Sequence, residues 1–281
     1  MGAEMDTSDS SYLLTPEAPR SLPRQLGRFT LDAVETAFGL LKLGVITLTA
    51  FLRHASSPST PLWAPLRSQI ARSGVRLLTW ATFLAAGLGI VVVGQVFGVV
   101  TLVGSNASFG AILASTVIYE LGPIAMSILV LSVNGTATVI DLATARTTGQ
   151  ITFNDRQTRA AVEGIVIPKV LGFVFSIFCL TVYFVTLTLV FAYFVIFLQN
   201  VALSPTAFIH QITEALSVRS FVLIGMKSLC FGSIIGLVAC YEALVRPIEL
   251  EHLSSATIRA VVGSIVLCAI IDILFIGYLL L

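Results

Sequence analysis

Charged residues in this chain gather in short blocks between long apolar runs, and the spacing of those runs gives the first picture of its architecture. From Leu77 to Tyr119 no side chain is charged, and Gly104-Ser105-Asn106 interrupts the run near its middle, which predicts two membrane helices joined by a tight turn. The apolar pattern continues to Ile140 and resumes from Val162 to Leu198. It recurs from about Phe221 to Ala243 and from Ala256 to Leu281. Five spans are expected, at about 77–102, 109–140, 162–198, 221–243 and 256–281.

An earlier apolar segment, Leu31–Leu52, has a different character. It carries Asp32, Glu35 and Lys42, with Arg20, Arg24 and Arg28 before it and Arg53, Arg67, Arg72 and Arg76 after it. A span there would place one basic cluster on the outer side, against the positive-inside bias. The pattern favours an amphipathic helix lying in the cytoplasmic interface or re-entering it, with an ordinary first span as the alternative. Residues 1–28 are polar, without the apolar stretch and cleavage site of a secretory signal, and read as a disordered cytoplasmic tail. The expected plan is a tail over 1–28, an interfacial helix and linker over 29–66, and a membrane domain over 67–281.

Composition agrees with a multi-pass membrane protein: 56% of the 281 residues are hydrophobic and 11% charged, with a mean hydropathy of +0.96. The formal charge of +1 provides no basic field for nucleic acid, so basic residues matter through their positions. Arg146, Arg156 and Arg159 follow the second span and Arg246 follows the fourth, which places both connections, and the N-terminus, in the cytoplasm. The four cysteines lie in apolar runs without metal-ligand spacing and read as packing residues. There is no phosphate-cradling Gly-rich loop, no metal motif and no Ser/His/Asp pattern above noise, so an enzyme site is not expected.

Three ionisable residues fall inside predicted spans. Glu120 lies in the second, followed by the helix-disturbing Leu121-Gly122-Pro123; Lys227 lies in the fourth and Asp272 in the fifth. Counted along each helix, all three sit roughly 12 to 16 Å from the outer surface. Each alone is costly in lipid, whereas a lysine between two carboxylates is mutually satisfied. That predicts a shared cluster lining a path for an amphiphile or ion. The alternative is a Lys227 that snorkels outward beside a protonated Glu120 or Asp272. Gln95 in the first span is a weaker candidate, for a helix contact or for substrate, and Gly94 to Gly98 is a small-xxx-small spacing that permits a subunit contact.

The chain resembles the MlaE (YrbE) permeases, the membrane subunits of ABC transporters that work with MCE-domain proteins to move lipid across the bacterial envelope. The resemblance covers about residues 67–281. It rests on Gln95, Glu120-Leu121-Gly122-Pro123 and Pro168, then on Lys227-Ser228, Phe231-Gly232, Cys240-Tyr241-Glu242, the Ala256-to-Val262 stretch and Asp272. It implies an all-α fold: an interfacial elbow helix and five spans, with a cytoplasmic coupling helix between spans two and three. In this chain that helix falls at about Ala143–Ala161, and Asp141, Arg146, Gln150, Asp155, Arg156 and Arg159 are its candidate ATPase contacts. The resemblance further implies an inner-membrane protein that binds no cofactor itself and uses ATP through a partner ABC ATPase. A second permease subunit, an MCE protein outside and a membrane lipid substrate complete the implied partners, with Glu120, Lys227 and Asp272 around the lipid pocket.

The chain departs from the family pattern at Tyr119, where the family has Arg, at Val133-Asn134-Gly135 in place of Arg-x-Gly, and across the coupling stretch. An ATP-independent carrier or lipid scramblase built on the same three charges is the alternative function. An intramembrane lipid-modifying enzyme would need a concentrated Asp/His site that the sequence lacks.

Overall fold

The computed structural model describes residues 35–50, 52, 77–92, 95, 116–149, 162–198, 204–215, 218–244 and 253–280. Among these residues the fold is entirely helical. The helices are α1 (35–50), α2 (Leu77–Val92), α3 (Val117–Thr147), α4 (Gly164–Leu198), α5 (Pro205–Ala215), α6 (Val218–Leu244) and α7 (Leu253–Leu280). Four of them, α3, α4, α6 and α7, are long and apolar enough to cross a membrane, and α2 is apolar but shorter over its described length. The expected tail, the turn at Gly104-Ser105-Asn106, the Gly94–Gly98 spacing and the coupling residues Gln150, Asp155, Arg156 and Arg159 lie outside the described residues.

Contacts divide the chain into Met1–Lys42 and Leu43–Leu281. In α1, Leu43 and Thr47 are buried while Phe38, Leu41, Val45 and Leu48 are exposed. In the larger unit α6 is the hub, packed against α4, α7 and α3. Lipid tails are as apolar as leucine, so helices in a membrane associate through close packing rather than expulsion from water. The sequence of α6 supplies that packing with small residues one turn apart, Ser228, Gly232 and Gly236. A Cβ at Gly232 would lie 2.5 Å from the Val174 Cα, and one at Gly236 would lie 2.9 Å from the Val170 Cα. The α4 and α6 backbones therefore touch, and run antiparallel.

Two further glycines fasten the remaining helices to α4. Gly122 of α3 faces Val185 and Thr181, and Gly89 of α2 faces the Thr188 carbonyl and Phe191. A hydrogen bond between Thr82 Oγ1 and Tyr183 Oη at 2.9 Å adds a polar link between α2 and α4.

Helix α3 is continuous but not uniformly α-helical. Val117–Leu121 and Leu131–Gly135 are π-helical, and Gly122–Val130 and Thr136–Thr147 are α-helical. The sequence pattern ends this span at Ile140, whereas the helix continues through Asp141 to Thr147 and stops where Gly149 takes φ +75°. Residues 143–147, expected to begin a separate coupling helix, are instead the last turns of the membrane helix. The physical reason is local: Asp141 is exposed, so the charge does not oblige the helix to break, while Gly149 adopts the left-handed conformation that closes helices.

Candidate functional site

Lys227 is 1% exposed, in the middle of α6, and its ammonium faces three oxygens. Nζ donates to the Tyr119 carbonyl at 2.9 Å and to Glu120 Oε2 at 3.0 Å, and lies 2.8 Å from Asp272 Oδ1. The last contact is an ion pair off the hydrogen-bonding direction, so Oδ1 is held by charge rather than by an aligned N–H. The Phe275 ring, 5.9 Å from Nζ, closes the site with the face of a π-system. An ammonium has three donors and no acceptor, and here all three have an oxygen at hand.

Pro123 explains why one of those oxygens is a backbone carbonyl. Proline has no N–H, so the α-helical bond from residue 123 to the Tyr119 carbonyl cannot form. In the same turn the Gly122 N–H bonds the Val117 carbonyl in π-helical register. The Glu-Leu-Gly-Pro sequence thus delivers both a carboxylate and a carbonyl to Lys227, and its glycine lets α3 approach α4 closely enough to hold them there. The carbonyl was readable in principle from a proline four residues after Tyr119, yet side-chain reasoning overlooks it.

The cluster gathers Glu120, Lys227 and Asp272, as their matching depths predict. Glu120 is the least enclosed, with its side chain 32% exposed against 12% for Asp272. Gln95 is exposed. Of the coupling candidates, Asp141 is exposed and Arg146 is half-buried near the end of α3.

Below Asp272 the three helices α3, α6 and α7 leave a cavity of about 270 Å³. Its wall is apolar, formed by residues such as Ile124, Leu131, Phe231, Ile235 and Ile265, and it also includes Cys268, which sequence reasoning treats as packing. Ser127 on the same wall donates its hydroxyl to the Ile124 carbonyl, within its own helix. Asp272 is the one charged side chain on the wall among the described residues.

A second buried carboxylate lies at the far end of α6. Glu242, 3% exposed, accepts from Arg259 Nε of α7 at 3.2 Å, and Arg259 also reaches Ser255 Oγ at 3.4 Å. Counting from Lys227 to Glu242 and from Asp272 to Arg259, the two ion pairs stand about 20 Å apart. They pin α6 to α7 on either side of the cavity.

A family model described as Permease MlaE matches residues 66–277. The chain belongs to the MlaE permease family. The permease is also similar to the probable ABC transporter permease protein ycf63 of Porphyra purpurea, with 26% identity over 156 residues. That match covers 56% of this chain, and the chain spans 59% of the relative's length. Membership and the apolar helices together make this a multi-pass membrane permease.

Proposed function

We propose that this permease gives a phospholipid or another amphipathic lipid a path between the bacterial cytoplasmic membrane and an extracytoplasmic MCE-domain partner, powered by ATP hydrolysis in a separate ABC ATPase. The observation that carries the reading is the apolar cavity that ends at the buried Asp272–Lys227–Glu120 cluster. An apolar pocket with a few convergent polar groups is the usual form of a ligand site, and charges buried at membrane depth mark substrate paths. Its orientation, from the basic connections, puts the N-terminus in the cytoplasm and the cluster toward the outer face. A second permease subunit, identical or related, completes the transporter.

The arrangement of ties suggests how energy would enter. Helices α6 and α7 are joined by ion pairs on both sides of the cavity, whereas Glu120 and the Tyr119 carbonyl tie α3 to α6 at the Lys227 end, so α3 can pivot there against the α6–α7 pair. Helix α3 contributes the opposite wall and runs directly to the coupling region, where Asp141 and Arg146 with Gln150, Asp155, Arg156 and Arg159 meet the ATPase. A displacement there shifts Ile124 to Leu131 against the α6–α7 pair and opens or squeezes the cavity.

The test is reconstitution of the permease with its co-purifying subunits in liposomes holding a fluorescent phospholipid. Lipid transfer that requires ATP and is lost in Lys227→Ala is expected. Transfer that proceeds equally without nucleotide would overturn the ATP-driven reading in favour of a scramblase.

A further inference from the structure

The cavity's charge has a sign, and the sign bears on what can enter. Lys227 is nearly inaccessible, and its ammonium is taken up by the Tyr119 carbonyl, Glu120 and Asp272. It does not form part of the cavity wall, and neither does Glu120; Asp272 does. Two carboxylates face one ammonium, so the cluster formally carries one net negative charge, and the carboxylate turned to the cavity is that of Asp272. The wall carries no side-chain N–H, and the Ser127 hydroxyl on it donates to the Ile124 carbonyl. An amphiphile ending in a carboxylate meets the Asp272 carboxylate between apolar walls, where like charges repel more strongly than in water.

The cavity's dimensions bear on how a ligand sits. At about 270 Å³ it lies just under the ~300–1,000 Å³ of ordinary small-molecule sites, and with Ile273 and Ile128 exposed at its rim it is open on one side, so it takes part of a larger lipid. From Asp272 to Ile265 along α7 the wall extends roughly 10 Å. That suits part of a single alkyl chain, with its polar end beside Asp272.

On the reading that the cavity is a lipid site, we propose that Asp272 makes it selective for an amphiphile whose polar end is an alkylammonium, with one hydrocarbon chain laid along the wall from Asp272 toward Ile265, and that it rejects amphiphiles with only an anionic end. The Asp272 carboxylate is both counter-ion to Lys227 and acceptor for the incoming ammonium. An ammonium of this kind comes either from a zwitterionic membrane lipid or from a free long-chain amine.

Photo-labelling in nanodiscs tests the idea. Three probes share a twelve-carbon chain with a mid-chain diazirine and end in an ammonium, a phosphoethanolamine or a carboxylate. Mass spectrometry then compares labelling of the cavity wall around Ile124–Leu131 with that of the exposed Phe194 and Phe197 on α4, which serve as the internal reference. The ammonium probe is expected to label the wall on the order of tenfold more than the carboxylate probe, relative to that reference. Strong labelling by the phosphoethanolamine probe as well identifies a zwitterionic lipid as the source; labelling by the ammonium probe alone identifies a free amine. In Asp272→Asn the preference collapses. Equal or greater labelling by the carboxylate probe, a comparison made on the wild-type protein alone, overturns the selectivity while leaving the lipid path standing. A preference that survives in a folded Asp272→Asn protein also overturns it. If no probe labels the wall above the reference, the cavity is not a ligand site and the functional reading falls with it.

Discussion

Replacing Lys227 with methionine keeps the length and apolar volume of the side chain and removes its charge, leaving two carboxylates and a carbonyl around an apolar group. At about 2.8 Å and an effective dielectric of about 20, the Lys227–Asp272 attraction alone is roughly 6 kcal/mol before desolvation is subtracted. The net effect is smaller. Breaking one partner out of a buried ion pair costs about 3–5 kcal/mol, chiefly because the other charge stays buried without compensation. Asp272, 8% exposed, bears most of that penalty, and Glu120 less because a third of its side chain is accessible. Lys227→Met is therefore expected to lower unfolding stability by about 3–5 kcal/mol. The triple variant Lys227→Met, Glu120→Gln, Asp272→Asn removes every charge and should regain most of it, since fully neutralised sites are often neutral or better. Transport should remain absent in the triple variant. Equilibrium unfolding in mixed micelles, read by helix circular dichroism, gives the stabilities, and lipid transfer in liposomes gives the activity. A triple variant as unstable as the single one would refute the electrostatic argument, and a triple variant that transports normally would remove the charges from the mechanism.

Further perturbations probe the surrounding frame. Gly232→Ala drives a methyl group into the Val174 backbone and is expected to cost about 1–3 kcal/mol by overpacking, measured by the same unfolding assay; a neutral result would contradict the backbone contact between α4 and α6. Pro123→Ala restores an N–H that competes with Lys227 for the Tyr119 carbonyl, relieving a helix penalty of ~3 kcal/mol while weakening a charged hydrogen bond worth ~1.5–3 kcal/mol. Stability should therefore change little while transport falls, and unchanged transport would show the carbonyl to be dispensable. In a background lacking the native cysteines, the Val238→Cys/Gly263→Cys pair, where a Cβ at Gly263 would lie 3.8 Å from Val238 Cγ1, should cross-link α6 to α7 without loss of transport. The Gly135→Cys/Ile235→Cys pair, where a Cβ at Gly135 would lie 3.7 Å from Ile235 Cγ2, locks α3 to α6 and should block transport reversibly on oxidation; the opposite pattern would place the moving surface elsewhere.

Much of this could be seen in the residues themselves. Lys227, Glu120 and Asp272 were legible as a group because a charge in an apolar run has few ways to be satisfied, and helix rise turns sequence position into depth. The close contact of α6 with α4 was less legible, since Ser228-xxx-Gly232-xxx-Gly236 states that some helix comes near but not which one. The extent of α3 was misjudged at Asp141 because an exposed acid reads like a boundary, although an exposed acid is tolerated on a helix that has left the apolar layer. The cavity was implied by the family resemblance alone, and its lining was not legible. It arises where three helices of ordinary apolar composition fail to meet, a property of their relative placement that no single segment encodes. Glu242 and Arg259 stood out only as parts of a family pattern, and their pairing depends on α6 and α7 lying side by side.

Helix α3 opens on the π-helical turn Val117–Leu121, and a second π-helical turn, Leu131–Gly135, separates its two α-helical parts. Each amounts to one residue more than an α-helix would use over the same length, and one residue is about 100° of rotation. The opening turn thus points Glu120 at Lys227, the first α-helical part faces the cavity, and the second presents Asp141 and Arg146. Shortening either turn by one residue, for instance by deleting Ser132, would rotate everything on one side of it away from everything on the other. In this permease the register of one helix is an adjustable quantity, and insertions or deletions in α3 are a route by which related transporters could re-aim one end of it without redesigning the other.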